Sequence, residues 1–205
     1  MQHDELRPSR HLDLGCGAYP RNPYGRTQLY GIDVRDDARI LLAKKNIVMT
    51  KANLALEKIP YEDNFFDSIS AFDFIEHIPR QLYIDRESGM TYPFIELMNE
   101  IWRVLAPGGK FLAITPAYPF PAAFADPTHV NYISTSTHEY FCGENPTGAI
   151  YGFKGKFIAR IAKLSAPSNY SEMPPNRFST ISRDLIRRIT GKGLQHLVWE
   201  LEAVK

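Results

Sequence analysis

Residues able to do chemistry sit where short apolar runs end. His11-Leu12-Asp13-Leu14 leads into Gly15-Cys16-Gly17-Ala18, and Leu29-Tyr30-Gly31-Ile32 ends in Asp33-Val34. Glycine has no Cβ, so a ligand can lie directly against the main chain at Gly15 and Gly17. Asp33, closing the next apolar run, is placed to accept hydrogen bonds from both hydroxyls of a ribose. Together these residues read as a nucleoside-binding site in an α/β fold. The pattern lacks the third glycine of a dinucleotide fingerprint, because position 20 is Pro. Further on, Asp126-Pro127-Thr128-His129-Val130-Asn131 is followed by His138-Glu139-Tyr140-Phe141. A histidine titrates near neutrality, so His129 suits taking a proton from an attacking hydroxyl or amine. Its plainer reading is a hydrogen-bonded loop histidine. Asp126, His129, His138 and Glu139 also carry metal-type donors, but their spacing fixes no geometry and no metal is expected. Cys16 reads as a small buried filler rather than a nucleophile.

The elements that must position these residues follow from periodicity. Apolar runs at Arg10–Leu14, Leu29–Asp33, Ile47–Thr50, Phe66–Phe72 and Lys110–Thr115 predict buried parallel strands. Two prolines between Gly17 and Gln28 argue for a loop there, not a crossover helix. The Pro20–Gly25 stretch is expected to shape the ligand pocket, with Asn22-Pro23-Tyr24 as a turn. Helices are expected at Asp36–Lys45 and, strongly amphipathic, at Tyr92–Leu105, where Pro107-Gly108-Gly109 stops it. Asp73–Arg86 reads as a loop or short helix. The C-terminal part predicts strands at Phe157–Leu164 and His196–Val204 around a helix at Arg183–Thr190. This alternation indicates a doubly wound, mostly parallel α/β sheet.

At 205 residues, 44% apolar and 23% charged, the chain is expected to form one domain spanning 1–205. The net charge of +1 gives no global attraction to nucleic acid or anionic membrane. Locally, residues 154–192 hold nine Lys or Arg against Glu172 and Asp184. A solvated face is the ordinary meaning, and a phosphate-bearing substrate the alternative. Two cysteines make no disulfide framework, and the polar start Met1-Gln2-His3-Asp4-Glu5 is unlike a signal peptide. A cytoplasmic location is the expectation.

Asp13-Leu14-Gly15-Cys16-Gly17, Gly31-Ile32-Asp33, Phe66-Asp67-Ser68-Ile69, Glu76-His77-Ile78 and Arg103-Val104-Leu105-Ala106-Pro107-Gly108-Gly109 occur in order. This series resembles the class I S-adenosylmethionine-dependent methyltransferases, closest to their small single-domain group. The resemblance implies a Rossmann-like sheet of seven strands, the last antiparallel. It implies S-adenosyl-L-methionine as cofactor, with Asp13, Gly15, Cys16 and Gly17 near its methionine end, and Asp33 on the ribose. Val34, Asn53 and Leu54 would meet the adenine, and Asp73 would line the methyl-transfer site. Asn53 stands where the family often has Asp, and its amide oxygen can still accept a hydrogen bond. Glu76-His77 would either support the site or contact substrate, so His77 joins His129 as a catalytic candidate. Residues 117–155 would cover the acceptor site. The acceptor is expected to be a small molecule, without nucleic acid or membrane. A cofactor-binding module without transfer activity, a nucleic-acid or phosphate-bearing acceptor, and aminopropyl transfer from a decarboxylated cofactor are the alternatives.

Overall fold

The computed structural model describes residues 8–35, 47–87, 89–166 and 193–205. Its centre is a seven-stranded sheet of β1 (Arg10–Leu14), β2 (Gln28–Asp33), β3 (Ile47–Lys51), β4 (Phe66–Phe72), β7 (Leu105–Pro116), β8 (Phe157–Ser165) and β9 (His196–Ala203). The strand order is β3-β2-β1-β4-β7-β9-β8. All neighbours pair in parallel except β9, which is antiparallel to both β7 and β8. The expected seven-stranded, mostly parallel sheet with an antiparallel last strand is therefore found. The chain leaves β1 toward β2 and β3 on one side, then returns to lay β4 on the other. Such a switch of direction opens a crevice at the carboxyl ends of β1 and β4, where doubly wound sheets hold their ligands.

Strand alternation decides which face each side chain covers. Leu12 and Leu14 of β1, Ile69 and Ala71 of β4, and Phe111 and Ala113 of β7 face the main core. Helix α1 (Pro93–Val104) closes that core with Phe94, Ile95, Leu97, Met98, Ile101 and Val104, at the apolar spacing visible in the sequence. Each fully buried large side chain contributes about 1.5–3 kcal/mol relative to exposure. Trp102, on the helix flank, donates its indole N–H to the Val204 carbonyl at 2.8 Å and fastens the C-terminus. The opposite face is part apolar, with Leu112, Ile114 and Val198, and part polar, with His11, Asp13, Ser68 and Ser70 all buried.

Two expectations meet a different structure or none. The stretch expected as loop or short helix at Asp73–Arg86 holds a 3-10 turn at Ile75–His77 and then a hairpin, β5 (Leu82–Asp85) with β6 (Gly89–Thr91). The hairpin is short and mostly exposed, so it leaves little of the apolar alternation by which strands are read. The helices expected at Asp36–Lys45 and Arg183–Thr190 lie outside the described residues, as does the basic stretch 167–192. Between Gly17 and Gln28 the chain forms turns without a helix, as its prolines require. A four-residue helix α2 (Ala122–Ala125) and 3-10 turns at Thr137–Phe141 and Thr147–Tyr151 punctuate the long connection after β7.

Candidate functional site

At the switch point the main chain itself builds the first wall. Gly15 and Gly17 have φ of +61° and +59°, a left-handed conformation that favours glycine. The turn they allow sends the Gly17 N–H to Asp33 Oδ2 at 2.7 Å, joining the ends of β1 and β2. The Arg35 N–H and its guanidinium hold Asp33 Oδ1 at 3.0 and 3.3 Å. Across the crevice, β4 is followed by Asp73, another left-handed residue at φ +48°, whose N–H is fixed to the Ile114 carbonyl at 2.8 Å. A non-glycine residue so held at the mouth of a crevice is a form of strain that clusters at functional sites.

These ends enclose a cavity of about 410 Å³ lined by Gly15, Gly17, Asp33, Val34, Asn53, Leu54 and Asp73 together with Phe74 and His77. Its size falls in the range of small-molecule sites. Seven of the nine residues expected to hold the cofactor thus share one cavity, and His77 joins them. Asp13 and Cys16 stand behind its wall. Cys16 packs its sulfur 4.0 Å from that of Met49, in space that a side chain at Gly31 would need. Burial, with Asp13 and Asp33 nearby, pushes its thiol up to about 12, so it is chemically quiet.

Asp13 belongs to a closed polar chain on the far face of the sheet. The register sets His11 against Ser68 and Asp13 against Ser70. Ser70 donates to Asp13 Oδ1 at 2.6 Å and lies 2.8 Å from His11 Nε2, which must then be the donor. His11 Nδ1 in turn accepts from Ser68 at 2.9 Å. The Arg21 N–H caps Asp13 Oδ2 at 2.8 Å. Burial, and secondarily the Arg26 charge, lowers the His11 pKa to about 3, while burial raises that of Asp13 to about 7. The proline-rich stretch, expected to shape the pocket, supports it from behind instead. None of residues 18–25 lines the cavity; Arg21 caps Asp13, and Tyr24 donates to Glu200 on β9 at 2.9 Å.

The second wall carries the histidines. Asn131 donates to the Ile75 carbonyl at 3.1 Å and accepts from Arg80 at 2.7 Å, while Val130 and Asn131 N–H groups both reach the Glu76 carbonyl at 2.9 Å. Arg80 also holds the Tyr132 carbonyl. These bonds bring His129 onto the Ile75–His77 turn. Its ring meets that of His77 edge-on at 4.8 Å, and its Nε2 lies 3.9 Å from Glu76 Oε1. Glu76 is 2% exposed; Thr115 donates to its Oε2 at 3.0 Å, and Oε1 has no hydrogen-bond partner among the described residues. Burial pushes its carboxyl up to about 8. Asp126 instead accepts from Thr128 at 2.6 Å, and neither it, His138 nor Glu139 joins the trio of converging donors, Glu76, His77 and His129.

Phe74 and Arg35 were not foreseen. The Phe74 ring covers Gly15 so closely that a Cβ there would lie 2.2 Å from its Cδ2. The only sequence signal was its place beside Asp73. Beyond the site, aromatic residues of 118–153 divide: Phe141 and Phe153 enter the core, whereas Tyr118, Phe124 and Tyr132 are exposed and touch one another.

A family model described as a methyltransferase domain matches residues 12–113, about half of the chain. No curated protein matches the sequence significantly. Among solved structures, a chain in the complex of the Haloferax volcanii Trm112 methyltransferase activator with a proposed methyltransferase is 12% identical. It superposes with a TM-score of 0.58 over 97% of this chain and 84% of that one. The 4+2 cyclase SpnF is 14% identical, with a TM-score of 0.57 over 96% and 76%. An S-adenosylmethionine-dependent methyltransferase from Mesorhizobium loti is 15% identical, with a TM-score of 0.54 over 94% and 90%. At these identities the likeness is one of fold, and the cyclase shows that the fold alone does not name a reaction. The matched segment contains the glycine turn, Asp33 and the strands that frame the crevice, and on this ground the chain belongs to the class I S-adenosylmethionine-dependent methyltransferases, with S-adenosylmethionine as its cofactor.

Proposed function

We propose that the chain transfers a methyl group from S-adenosylmethionine to a small-molecule acceptor. The observation that carries this reading is the gathering of Gly15, Gly17, Asp33, Val34, Asn53, Leu54 and Asp73 around one cavity at the switch point. The residues present fit the cofactor. The two left-handed glycines turn main chain into the cavity wall for its methionine end, with the Phe74 ring packed on Gly15 and the Arg35 guanidinium beside Gly17. Asp33 retains acceptor capacity beyond its bond from Gly17, since its ion pair with Arg35 joins a half-exposed guanidinium and yields at little cost. Asn53 and Leu54 stand on the same wall for the adenine. Asp13 acts one step back, holding the turn through Arg21 and Ser70.

Bound there, the cofactor supplies an electrophilic sulfonium methyl group. The protein's work is to orient, to exclude water and to handle the acceptor's proton. His129 donates Nδ1–H to the Ala123 carbonyl at 3.1 Å, which leaves its Nε2 lone pair free beside the ring of His77, a residue of the cavity wall. We assign 117–155 as the acceptor-site cover within a single domain 1–205, and a cytoplasmic location; no helix among the described residues is long and apolar enough to cross a membrane.

The test has two parts. S-adenosylhomocysteine at a hundred times its Kd should stabilise the fold by about 2.7 kcal/mol in thermal melts. Labelled cofactor offered with an acceptor library should then release S-adenosylhomocysteine, and His129→Ala should lower that turnover far more than it lowers cofactor affinity. Binding without turnover on any acceptor would favour the cofactor-binding module instead.

A further inference from the structure

Glu76, His77 and His129 each place one ligand atom within 4.8 Å of the other two. We propose that these three side chains bind a divalent first-row transition ion such as Zn²⁺ or Co²⁺. Two imidazoles with one carboxylate suit such borderline ions better than Mg²⁺ or Ca²⁺, which prefer oxygen-only sets.

The donors are prepared in the manner of metal ligands. His129 gives Nδ1–H to the Ala123 carbonyl, which frees its Nε2. Thr128 donates its hydroxyl to Asp126, so the contact of its Oγ1 with His77 Nδ1 at 3.0 Å has the histidine as donor, and Nε2 of that ring is free as well. Ligating histidines commonly fix their tautomer by such bonds to a carbonyl or a polar neighbour. Glu76 holds Oε2 to Thr115 and leaves Oε1 buried and without a hydrogen-bond partner among the described residues, 3.9 Å from His129 Nε2. A buried carboxylate oxygen with no donor is costly, and a cation between it and the imidazoles removes that cost. Bonds of about 2.0–2.2 Å require donors about 3.0–3.5 Å apart, a closure within reach of small side-chain rotations. The backbone bonds from Val130 and Asn131 to the Glu76 carbonyl already hold the two segments in register.

Three protein ligands leave a coordination position open, as in catalytic rather than structural sites. Resting on the methyltransferase reading, that position stands at the cavity wall through His77, where an oxygen or nitrogen of the acceptor would bind. With the ion in place the His129 Nε2 lone pair is occupied, and the ion would ease loss of the acceptor's proton instead of that nitrogen taking it.

The experiment uses the full chain stripped with a chelator and titrated with CoCl₂ alone, followed by visible d–d absorption and by calorimetry. One ion per chain is expected to bind. Glu76→Gln and His129→Ala should abolish binding, and Thr115→Val, which removes only the hydrogen bond that orients Glu76, should weaken it roughly 10-fold or more. Cooperative melting of each metal-free variant checks its fold, and Thr115→Val carries the test if a ligand variant does not fold. Absence of stoichiometric binding by the unmodified chain, or binding unaffected in folded variants, overturns the proposal. S-adenosylhomocysteine binding is measured separately without metal. Cobalt binding with no binding of S-adenosylhomocysteine would sink the methyltransferase reading and leave the metal site standing; the reverse pattern would sink the metal site alone.

Discussion

Replacing Gly15 with Ala tests the geometry of the glycine turn in numbers. The substitution puts an L side chain at φ +61°, which costs about 1–2 kcal/mol for the left-handed conformation. The new methyl group would also lie 2.2 Å from Cδ2 of Phe74, 2.7 Å from its Cγ and 3.0 Å from its Cβ. No flexible tip is available to yield, so the ring must leave its place against the core, at about 1–3 kcal/mol for overpacking. Gly15→Ala should therefore destabilise the chain by about 2–5 kcal/mol. In a Phe74→Ala background the two ring contacts are gone, and the backbone term remains with only the 3.0 Å contact to the retained Cβ. Urea denaturation of the wild type, both single variants and the double variant closes the cycle, and the coupling should be about 1–3 kcal/mol. Additivity within about 0.5 kcal/mol would refute the packing of Phe74 on the turn. A Gly15→Ala change without loss of stability would refute the left-handed turn itself.

Two other predictions follow from burial. Asp13 has a folded pKa of about 7 against an unfolded 3.8, so between these values the native state keeps a proton that the unfolded chain releases. Stability associated with Asp13 is then fully present below about pH 4 and lost as pH rises toward 7, by on the order of 4 kcal/mol in all. Asp13→Asn lacks that loss, so urea midpoints from pH 4.5 to 8 should show the variant gaining steadily on the wild type. His11, lowered to about 3, destabilises both proteins as pH falls below its unfolded value and so largely cancels. A pH-independent difference would contradict the burial of Asp13. Cys16 and Cys142, raised by burial to about 12 and about 11, should react with a thiol reagent at pH 8 at least a hundredfold more slowly in the native than in the denatured chain. Equal rates would place these thiols in solvent.

Much of the fold was legible because parallel strands buried on both faces leave short apolar runs closed by turn residues. The run at 66–72 coincides with β4, and that at 10–14 with β1. The cofactor wall was legible for a related reason. Gly15, Gly17, Asp33 and Asp73 all lie at strand ends, so finding the strands locates them. Asp13 shows the limit of that reading. Its neighbour by register, Ser70, comes 57 residues later, and only the pairing of β1 with β4 reveals the closed chain through His11. The contact of Phe74 with Gly15 and the approach of His129 to Glu76 have the same character. Each depends on a crossing of distant segments, fixed in the second case by Asn131 and Arg80, that leaves no local period or spacing. The hairpin β5–β6 was missed for the opposite reason, being local but too exposed to show an apolar face.

The central claim is that the cavity between β1 and β4 holds S-adenosylmethionine with Asp33 on the ribose. Isothermal titration with S-adenosylhomocysteine, on the unmodified chain and on Asp33→Ala, tests it most directly. One site per chain is predicted, and loss of a hydrogen-bonded carboxylate should weaken binding by about 1.5–3 kcal/mol, roughly 10- to 150-fold. No binding by the unmodified chain, or equal affinity in Asp33→Ala, would contradict it.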